Sequence, residues 1–485
     1  MAPAATLVWF RADLRLGDHP ALAAALAGGG PVIPVWILDE AGEGRWPLGG
    51  AARWWREGSL GALRETLRRR GADLVLRRGD SAAVLEALVR ETGAGAVCWN
   101  RRIEPAARAQ EAAVAARLRA AGVDIHSADA ATLFPPGAVL TQSGGPFRVF
   151  TPFWQRCRQL AAPAPLPAPA GPWPKPERWP RSERLEDWWP GSDPGRAAGL
   201  AAAWTPGEAA AQRRLRTFLK AAVDEYDSHR DFPAHAGTSR LSPHLRFGEL
   251  SARHVWAAVM DSSRDDGVQP RSRGAAGFLR ELGWREFAGH CLWHFPQTPE
   301  APLQEDFRDF PAQRDEKLLA AWREGRTGYP LVDAGMRELA RTGWMHNRVR
   351  MVAASFLVKQ LLQPWPEGAA WFWETLVDAD LANNTLGWQW CAGCGADAAP
   401  YFRIFNPLLQ QDRFDPDGAY VRRWVPETFG VSGKRKQSAP GAGAKATIVG
   451  KRPPPVVELA AGRERALKAY AEWRDRVKAR AGGGR

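Results

Sequence analysis

Cysteine is scarce in this chain of 485 residues. The five present, Cys98, Cys157, Cys291, Cys391 and Cys394, are too few and too scattered to staple a fold of this size. Apolar runs of the roughly 18 residues needed to cross a bilayer are absent. The opening segment, Met1–Phe10, has no basic stretch of the kind that begins a signal peptide. These absences lead us to expect a cytoplasmic protein in a reducing compartment, without a membrane partner. Two nucleotide signatures are also missing: no G-x-G-x-x-G follows the first strand-like run, and no G-x-x-x-x-G-K-[ST] occurs anywhere. A dinucleotide fingerprint and a P-loop are therefore excluded as the basis of function.

Tryptophan is abundant. It contributes 24 residues against 19 Phe and only 5 Tyr, so half of all aromatic side chains are indoles, which stack well and give up an electron with relative ease. The net charge is +13. Residues 1–130 hold 17 basic and 15 acidic side chains, a balance of +2, which leaves +11 for the rest. A polyanion-binding face is therefore expected beyond residue 130, with a solvated basic surface as the alternative.

Short apolar runs at Leu7–Phe10, Val32–Leu38, Leu74–Leu76, Ala96–Trp99 and Val123–Ile125 read as buried strands. Helical patterns lie between them: one with Asp18 as N-cap and Pro20 in its first turn, then Arg53–Arg70, Ser81–Thr92 and Glu104–Ala121. This alternation predicts an α/β domain over 1–130, a doubly wound parallel sheet. A linker over 131–205 includes the Pro- and Ala-rich Ala161–Pro180. A large all-α region follows over 206–485, with helices expected at Glu208–Tyr226, Pro243–Met260, Gly274–Phe295, Glu316–Glu324, Leu331–Thr342, Asn347–Leu362, Ala369–Leu376 and Glu458–Ala479. Gly433–Pro455, rich in Lys, Gly, Ala and Pro, interrupts it.

Four segments of the helical region carry chemistry. In Gly237-Thr238-Ser239-Arg240-Leu241-Ser242-Pro243, hydroxyls precede a helix capped by Ser242, which reads either as a phosphate seat or simply as a well-capped helix. Helical spacing puts Glu281, Trp284 and Arg285 on one face, suited to a base or flavin, or to an ion pair beside a core indole. Thr342–Met351 opens an apolar helix with polar and aromatic residues. In Asp378–Trp390, four-residue spacing aligns Asp380, Asn384 and Trp388, setting an amide between a carboxylate and an oxidisable indole. Cys391-Ala392-Gly393-Cys394 lacks a second ligand pair, and His290 with His294 lacks the glutamate of a zinc-protease helix, so both read as structural and no metal is expected.

These segments, with Leu7–Pro20, Gly328–Ala334 and Ala399–Pro407, resemble in order those of the DNA photolyase and cryptochrome family across nearly the whole chain. The resemblance implies an N-terminal α/β domain and a helical domain that holds FAD. It implies FAD contacts from Tyr226, Thr238, Ser239, Arg240, Leu241, Ser242, Trp344, Arg350, Asp378, Asp380 and Asn384, with Arg350 paired to Asp378 and Asn384 facing the reactive nitrogen of the ring. It implies a lesion pocket of Glu281, Trp284, Arg285, Asn347, Arg348, Met351 and Trp390, with Glu281, Asn347 and Asn384 taking part in catalysis. The activity implied is light-driven repair of cyclobutane pyrimidine dimers in damaged DNA by electron transfer from excited reduced FAD, by a monomer. The rival is a cryptochrome photoreceptor without repair activity. Asn384, where plant-type receptors usually carry Asp, argues against it.

Three features depart from the best-known bacterial pattern. Trp388 and Trp365 match the first two members of its electron-transfer chain, but the third position is Ala312, so the outer route is expected to use Trp322, Trp344, Trp371 or Trp373. Ala106 and Ala107 stand where folate-binding relatives carry Asn and Glu, which leaves open whether the antenna is methenyltetrahydrofolate or a deazaflavin. The Gly433–Pro455 segment is longer than usual. The details around Asp378–Thr385 suggest the bacterial class III branch.

Overall fold

A computed structural model describes residues 3–188, 193–261, 270, 272–428 and 454–482. The chain divides into two compact units. One comprises Met1–Asp227, Ser239–Pro296 and Val377–Asn383; the other comprises Ser228–Thr238, Gln297–Leu376 and Asn384–Arg485.

The first unit holds five parallel strands: β1 (Thr6–Phe10), β2 (Val32–Leu38), β3 (Val75–Arg78), β4 (Ala96–Arg101) and β5 (Asp124–Asp129), in the order β3-β2-β1-β4-β5. Every residue of β1 and β2 is buried, because helices cover both faces. Val8 lies opposite Pro34 on one side and Cys98 on the other. Pro34 is tolerated in this inner strand because β3 pairs only from Val35 onward. Two apolar cores, one on each face, include Leu22, Leu63 and Leu74 on one side and Leu85, Val114 and Leu118 on the other. Each such side chain contributes about 1.5–3 kcal/mol on burial.

Three local expectations are corrected. The first helix, Pro20–Ala27, is capped by His19, whose Nδ1 accepts from Leu22 N–H at 3.0 Å. Asp18 instead has φ +49° and accepts from Leu166 N–H and from Arg253 Nε. The helix expected at Pro243–Met260 is two helices, Ser242–Arg246 and Ala252–Asp261. Gly248 separates them at φ +64°, where a Cβ would sit 2.6 Å from Asp13 Cα, so neither the conformation nor the space admits a side chain. Ser242 is accordingly the first helical residue and Leu241 the N-cap, with no side-chain cap bond.

In the second unit, helices cover Glu316–Arg323, Pro330–Thr342, Asn347–Ser355, Trp365–Thr375, Pro407–Phe414, Ala419–Trp424 and Leu459–Gly482, together with the larger part of Leu381–Ala392. The expected helix Asn347–Leu362 is α-helical only to Ser355. It widens into a π turn over Phe356–Gln360 and ends at Leu362 with φ +53°. Most of the Gly433–Pro455 segment lies outside the described residues.

Candidate functional site

The residues singled out in the sequence fall in both units. In the first, Arg240 adopts φ +52°, and Ser239 Oγ accepts from Leu241 N–H at 3.3 Å. The Arg240 guanidinium lies 4.3 Å over the Trp204 ring. A non-glycine residue held in the left-handed region is a backbone cost that surrounding structure must sustain, and such positions concentrate at ligand sites. Thr238 falls in the second unit. Tyr226 is buried edge-on between Phe218 and Phe278, 5.8 and 5.3 Å away.

The long helix Arg273–His294 carries Glu281 and Trp284, both half-exposed. Trp284 stacks flat on Phe150, with ring centroids 3.8 Å apart and planes 9° from parallel, which fixes the indole as a platform. Arg285 does not share that face. Its guanidinium donates to the carbonyls of Ala131 and Leu245 at 3.3 and 3.4 Å, since one helical step turns it about 100° from Trp284. The next residue, Glu286, carried no role in the sequence reading. It is buried, accepts from Leu133 N–H at 2.7 Å, and lies 3.6 Å from Arg285 as an ion pair; burial raises its carboxyl to about 7. His290 accepts from Phe147 N–H at 3.0 Å, and its ring lies 4.6 Å from that of His294.

Asp378 is buried, and Ala379 O accepts from Arg246 Nε at 2.5 Å. Asp380 precedes the helix Leu381–Ala392 and is not part of its stripe: its carboxylate accepts from Asn383 N–H at 2.9 Å and from Asn383 Nδ2 at 2.8 Å, as an N-cap does.

In the second unit, Gly343 at φ +65° ends one helix, and His346 caps the next by accepting from Arg348 N–H at 3.2 Å. His346 thus stands before the helix. Its ring meets Trp344 edge-on at 6.2 Å, and burial holds its pKa down at about 4. Asn347 is exposed at the first helical position, while Met351 is half-buried. Arg348 pairs with Asp231 at 2.7 Å and lies 4.5 Å over Phe414, and Arg350 Nε donates to Met345 O at 2.7 Å.

Asn384 Nδ2 donates to Ala369 O at 3.0 Å, which leaves the amide oxygen as an acceptor. Trp388 is buried with its ring 5.0 Å from Phe372 and 6.1 Å from Trp322; Trp322 is fully buried and donates from Nε1 to Ala353 O at 3.0 Å. Of the four candidates for the outer route, Trp322 thus stands edge-on to Trp388. Trp365 begins the helix Trp365–Thr375, and Trp390 is half-exposed. Cys391 and Cys394 are buried free thiols, both pushed up to about 12 by burial, so neither is a nucleophile at neutral pH.

The first unit also holds a narrow crevice of about 40 Å³ at the carboxyl ends of β1 and β4. There the strand order reverses, the place where open α/β sheets bind ligands. Arg11, Arg15, Arg101, Arg102, Arg246 and Arg285 line it together with Asp13, Glu104 and Asp380, and Arg11 and Arg102 are already paired, with Glu111 at 2.7 Å and with Glu104 at 2.8 Å. Composition alone could not have located it, because these residues converge from segments far apart in sequence.

Residues 6–170 match the family model described as DNA photolyase, and residues 278–472 match the FAD binding domain of DNA photolyase. The class is therefore that of flavin-binding proteins that join an α/β sheet to a helical region. A deoxyribodipyrimidine photo-lyase of Agrobacterium fabrum is 47% identical over 96% of this chain and 98% of its own length. Cryptochrome-1 of Arabidopsis thaliana is 40% identical over 87% of this chain and 63% of its own. Among solved structures, a bacterial class III photolyase from Agrobacterium tumefaciens matches with TM-score 0.89 at 43% identity, covering 98% of both chains. An archaeal photolyase from Sulfolobus tokodaii with two FAD molecules matches at TM-score 0.78 and 27% identity, covering 96% of this chain and all of that one. The chain belongs to the DNA photolyase and cryptochrome family. Among the described residues, no helix is long and apolar enough to cross a membrane.

Proposed function

We infer that this chain repairs cyclobutane pyrimidine dimers in DNA with light, the activity of a deoxyribodipyrimidine photolyase, using FAD as its cofactor. The observation that carries the reading is the oriented amide of Asn384 one helical turn from buried Trp388. The donor set suits FAD: hydroxyls of Thr238, Ser239 and Ser242 with the guanidinium of Arg240 for the phosphates, and an amide for a ring nitrogen. Bound FAD supplies a light-absorbing one-electron donor.

Asn384, turned by the Ala369 carbonyl, offers its oxygen to an N–H on the ring. Tyr226, Leu241, Trp344, Arg350, Asp378 and Asp380 complete the FAD set in this reading. Trp388 delivers electrons inward, with Trp365 and Trp322 as the routes behind it.

Enzymes that act on a base within a duplex, photolyases among them, take it out of the stack. Trp284, backed by Phe150, gives the extruded lesion an aromatic face, and Trp390 and Met351 belong to the lesion set in this reading. Glu281 and Asn347 hydrogen-bond the dimer. Arg348, its direction fixed by Asp231, serves DNA phosphate. Arg285, engaged with two backbone carbonyls, positions its helix and is withdrawn from the lesion set. We place the protein in the cytoplasm as a monomer, with 206–485 as the FAD- and DNA-binding region.

Asn384→Asp tests the reading. A carboxylate opposite Ala369 O loses a hydrogen bond and meets an acceptor, at about 1–3 kcal/mol. The variant should still bind FAD, hold it less well in the reduced state, and repair dimers more slowly. Unchanged redox behaviour and unchanged repair would overturn the role of Asn384.

A further inference from the structure

We propose that Glu338 and Tyr420 are positioning residues for lesion recognition, which together clamp the turn Gly343–His346 and so set where Asn347 meets the dimer; this rests on the reading of the chain as a dimer-repairing enzyme. The turn joins the helix Pro330–Thr342 to the helix Asn347–Ser355. It carries Trp344, assigned to FAD, and delivers the chain to Asn347, assigned to the lesion. Glu338 lies on the helix before it, a buried acid with no part in the catalytic or electron-transfer sets. Its Oε2 accepts from His346 N–H at 3.4 Å and from the Tyr420 hydroxyl at 2.6 Å. The peptide immediately before Asn347 is therefore tied to a carboxylate whose direction a second donor fixes. Tyr420 is fixed in turn: it is 2% exposed, and Asp415 accepts from the backbone N–H groups of Tyr420 and Val421, both at 2.9 Å. Burial and the adjacent Glu338 hold the Tyr420 hydroxyl well above its ordinary pKa, so it stays protonated and remains a donor.

The two ends of the turn are held separately. Thr342, one helical turn beyond Glu338, donates from Oγ1 to Glu338 O at 2.8 Å and accepts there from Trp344 N–H at 3.3 Å. Arg350 Nε donates to Met345 O at 2.7 Å. Met345 is fully buried, and Gly335 leaves it room, since a Cβ there would stand 3.2 Å from Met345 Sδ. The His346 end has the bond to Glu338 and its own cap bond from Arg348 N–H. Loss of the clamp thus frees Asn347 and spares Trp344. A buried carboxylate is costly to desolvate, and an apolar side chain would pack the helices Pro330–Thr342 and Ala419–Trp424 as well, so Glu338 is explained by the peptide it holds. Placement matters because a shift of about 1 Å in a substrate-reading group can cost about a hundredfold.

The test measures binding in the dark of a single strand carrying one cyclobutane dimer, and of the undamaged strand of the same sequence, by the FAD-loaded full chain and by Tyr420→Phe, Asn347→Ala and the double variant. Tyr420→Phe removes one hydroxyl and keeps the ring. It should weaken binding of the dimer strand by about tenfold, the worth of one well-placed hydrogen bond, and leave undamaged-strand binding, FAD content and the flavin spectrum unchanged. In the Asn347→Ala background the same substitution should cost nothing further, because the contact it misplaces is already gone. Glu338→Ala, which removes the acceptor, should repeat both results. Equal losses with and without Asn347, or a lower melting temperature with unchanged dimer affinity, would overturn the clamp and leave the pair as helix packing. A parent protein that binds both strands alike and leaves the dimer intact under light would overturn the functional reading itself; one that discriminates and repairs while Tyr420→Phe binds the dimer strand as tightly overturns the clamp alone.

Discussion

Gly368→Ala should disturb both stability and photoreduction, and the structure sets the size of the effect. A Cβ built at Gly368 would fall on the six-membered ring of Trp388, 2.6 Å from Cζ2 and closer still to Cζ3 and Cη2. Carbon atoms settle at about 3.5–4.0 Å, so the indole or the helix Trp365–Thr375 must give by about 1 Å or more. Overpacking of this kind costs about 1–3 kcal/mol. Ala in place of Gly in a helix returns about 0.5–1 kcal/mol, so the middle of the two ranges gives a net loss of about 1 kcal/mol. Gly61 provides the control: it lies inside the helix Gly50–Arg68, exposed, with no atom within 4 Å of an added Cβ, so Gly61→Ala should gain about 0.5–1 kcal/mol. The assay is thermal unfolding of the FAD-loaded variants, followed by flavin photoreduction under blue light with an external reductant. Gly368→Ala should melt below the parent and reduce its flavin more slowly; Gly61→Ala should melt above it and reduce at the parental rate. A Gly368→Ala protein that melts and photoreduces like the parent would refute the placement of Trp388.

Three further outcomes are expected. Trp388→Phe removes the inner electron donor while keeping an aromatic ring against Phe372, so illumination should not build up reduced flavin, whereas chemically reduced variant should still repair dimers; photoreduction at the parental rate would show that electrons enter elsewhere. Six-four photoproducts should not be repaired, because Asn347 does not titrate and His346, held at about 4, is neutral at pH 7 and occupied as a helix cap; repair of a defined six-four substrate at a rate near that of the cyclobutane dimer would contradict this. The third outcome is a pH dependence of stability. His290 and His346 are both held near 4, below the 6.5 of an unfolded chain, so between these values the unfolded state binds more protons and stability drops as the pH is lowered, by about 1.4 kcal/mol per unit for each. Glu286, raised from 4.5 to about 7, works in the opposite direction, which leaves a net fall of about 1.4 kcal/mol per unit from pH 6.5 to 4.5 for these three groups. Thermal unfolding across that window checks it: Glu286→Gln should steepen the slope, and a flat profile in both proteins would contradict it.

The sheet was legible because β1, β2 and most of β4 are buried in β-rich runs, while the edge strand β3, read as Leu74–Leu76, runs Val75–Arg78 and leaves its arginines outside the core. β5 was read as Val123–Ile125, yet it extends to Asp129, since an edge strand of polar residues carries little hydropathy signal. Helix interiors followed from periodicity, whereas breaks set by tertiary packing did not: Gly248 splits a helix because the backbone of Ala12 and Asp13 passes against it. Spacing aligned Asn384 with Trp388 correctly but could not show that Asp380 caps the helix or that Arg285 turns to backbone carbonyls. Lys359, which donates to Tyr401 O at 2.7 Å, and Glu286, which accepts from Leu133 N–H, escaped notice for a common reason, that these hydrogen-bond partners are distant in sequence. A single Lys within the apolar stretch Ala353–Leu362 was the available signal for the first, because an isolated charge in such a run must find a buried partner.

Repair of one defined oligonucleotide in light and in darkness tests the central claim most directly. Purified FAD-loaded protein, with its flavin chemically reduced, is mixed with a single-stranded oligonucleotide carrying one cyclobutane thymine dimer, and intact thymines are quantified by chromatography. Restoration of both thymines under near-UV or blue light, none in the dark and none with flavin-free protein, is the expected result. Flavin-loaded, fully reduced protein that leaves the dimer intact under illumination would contradict the account.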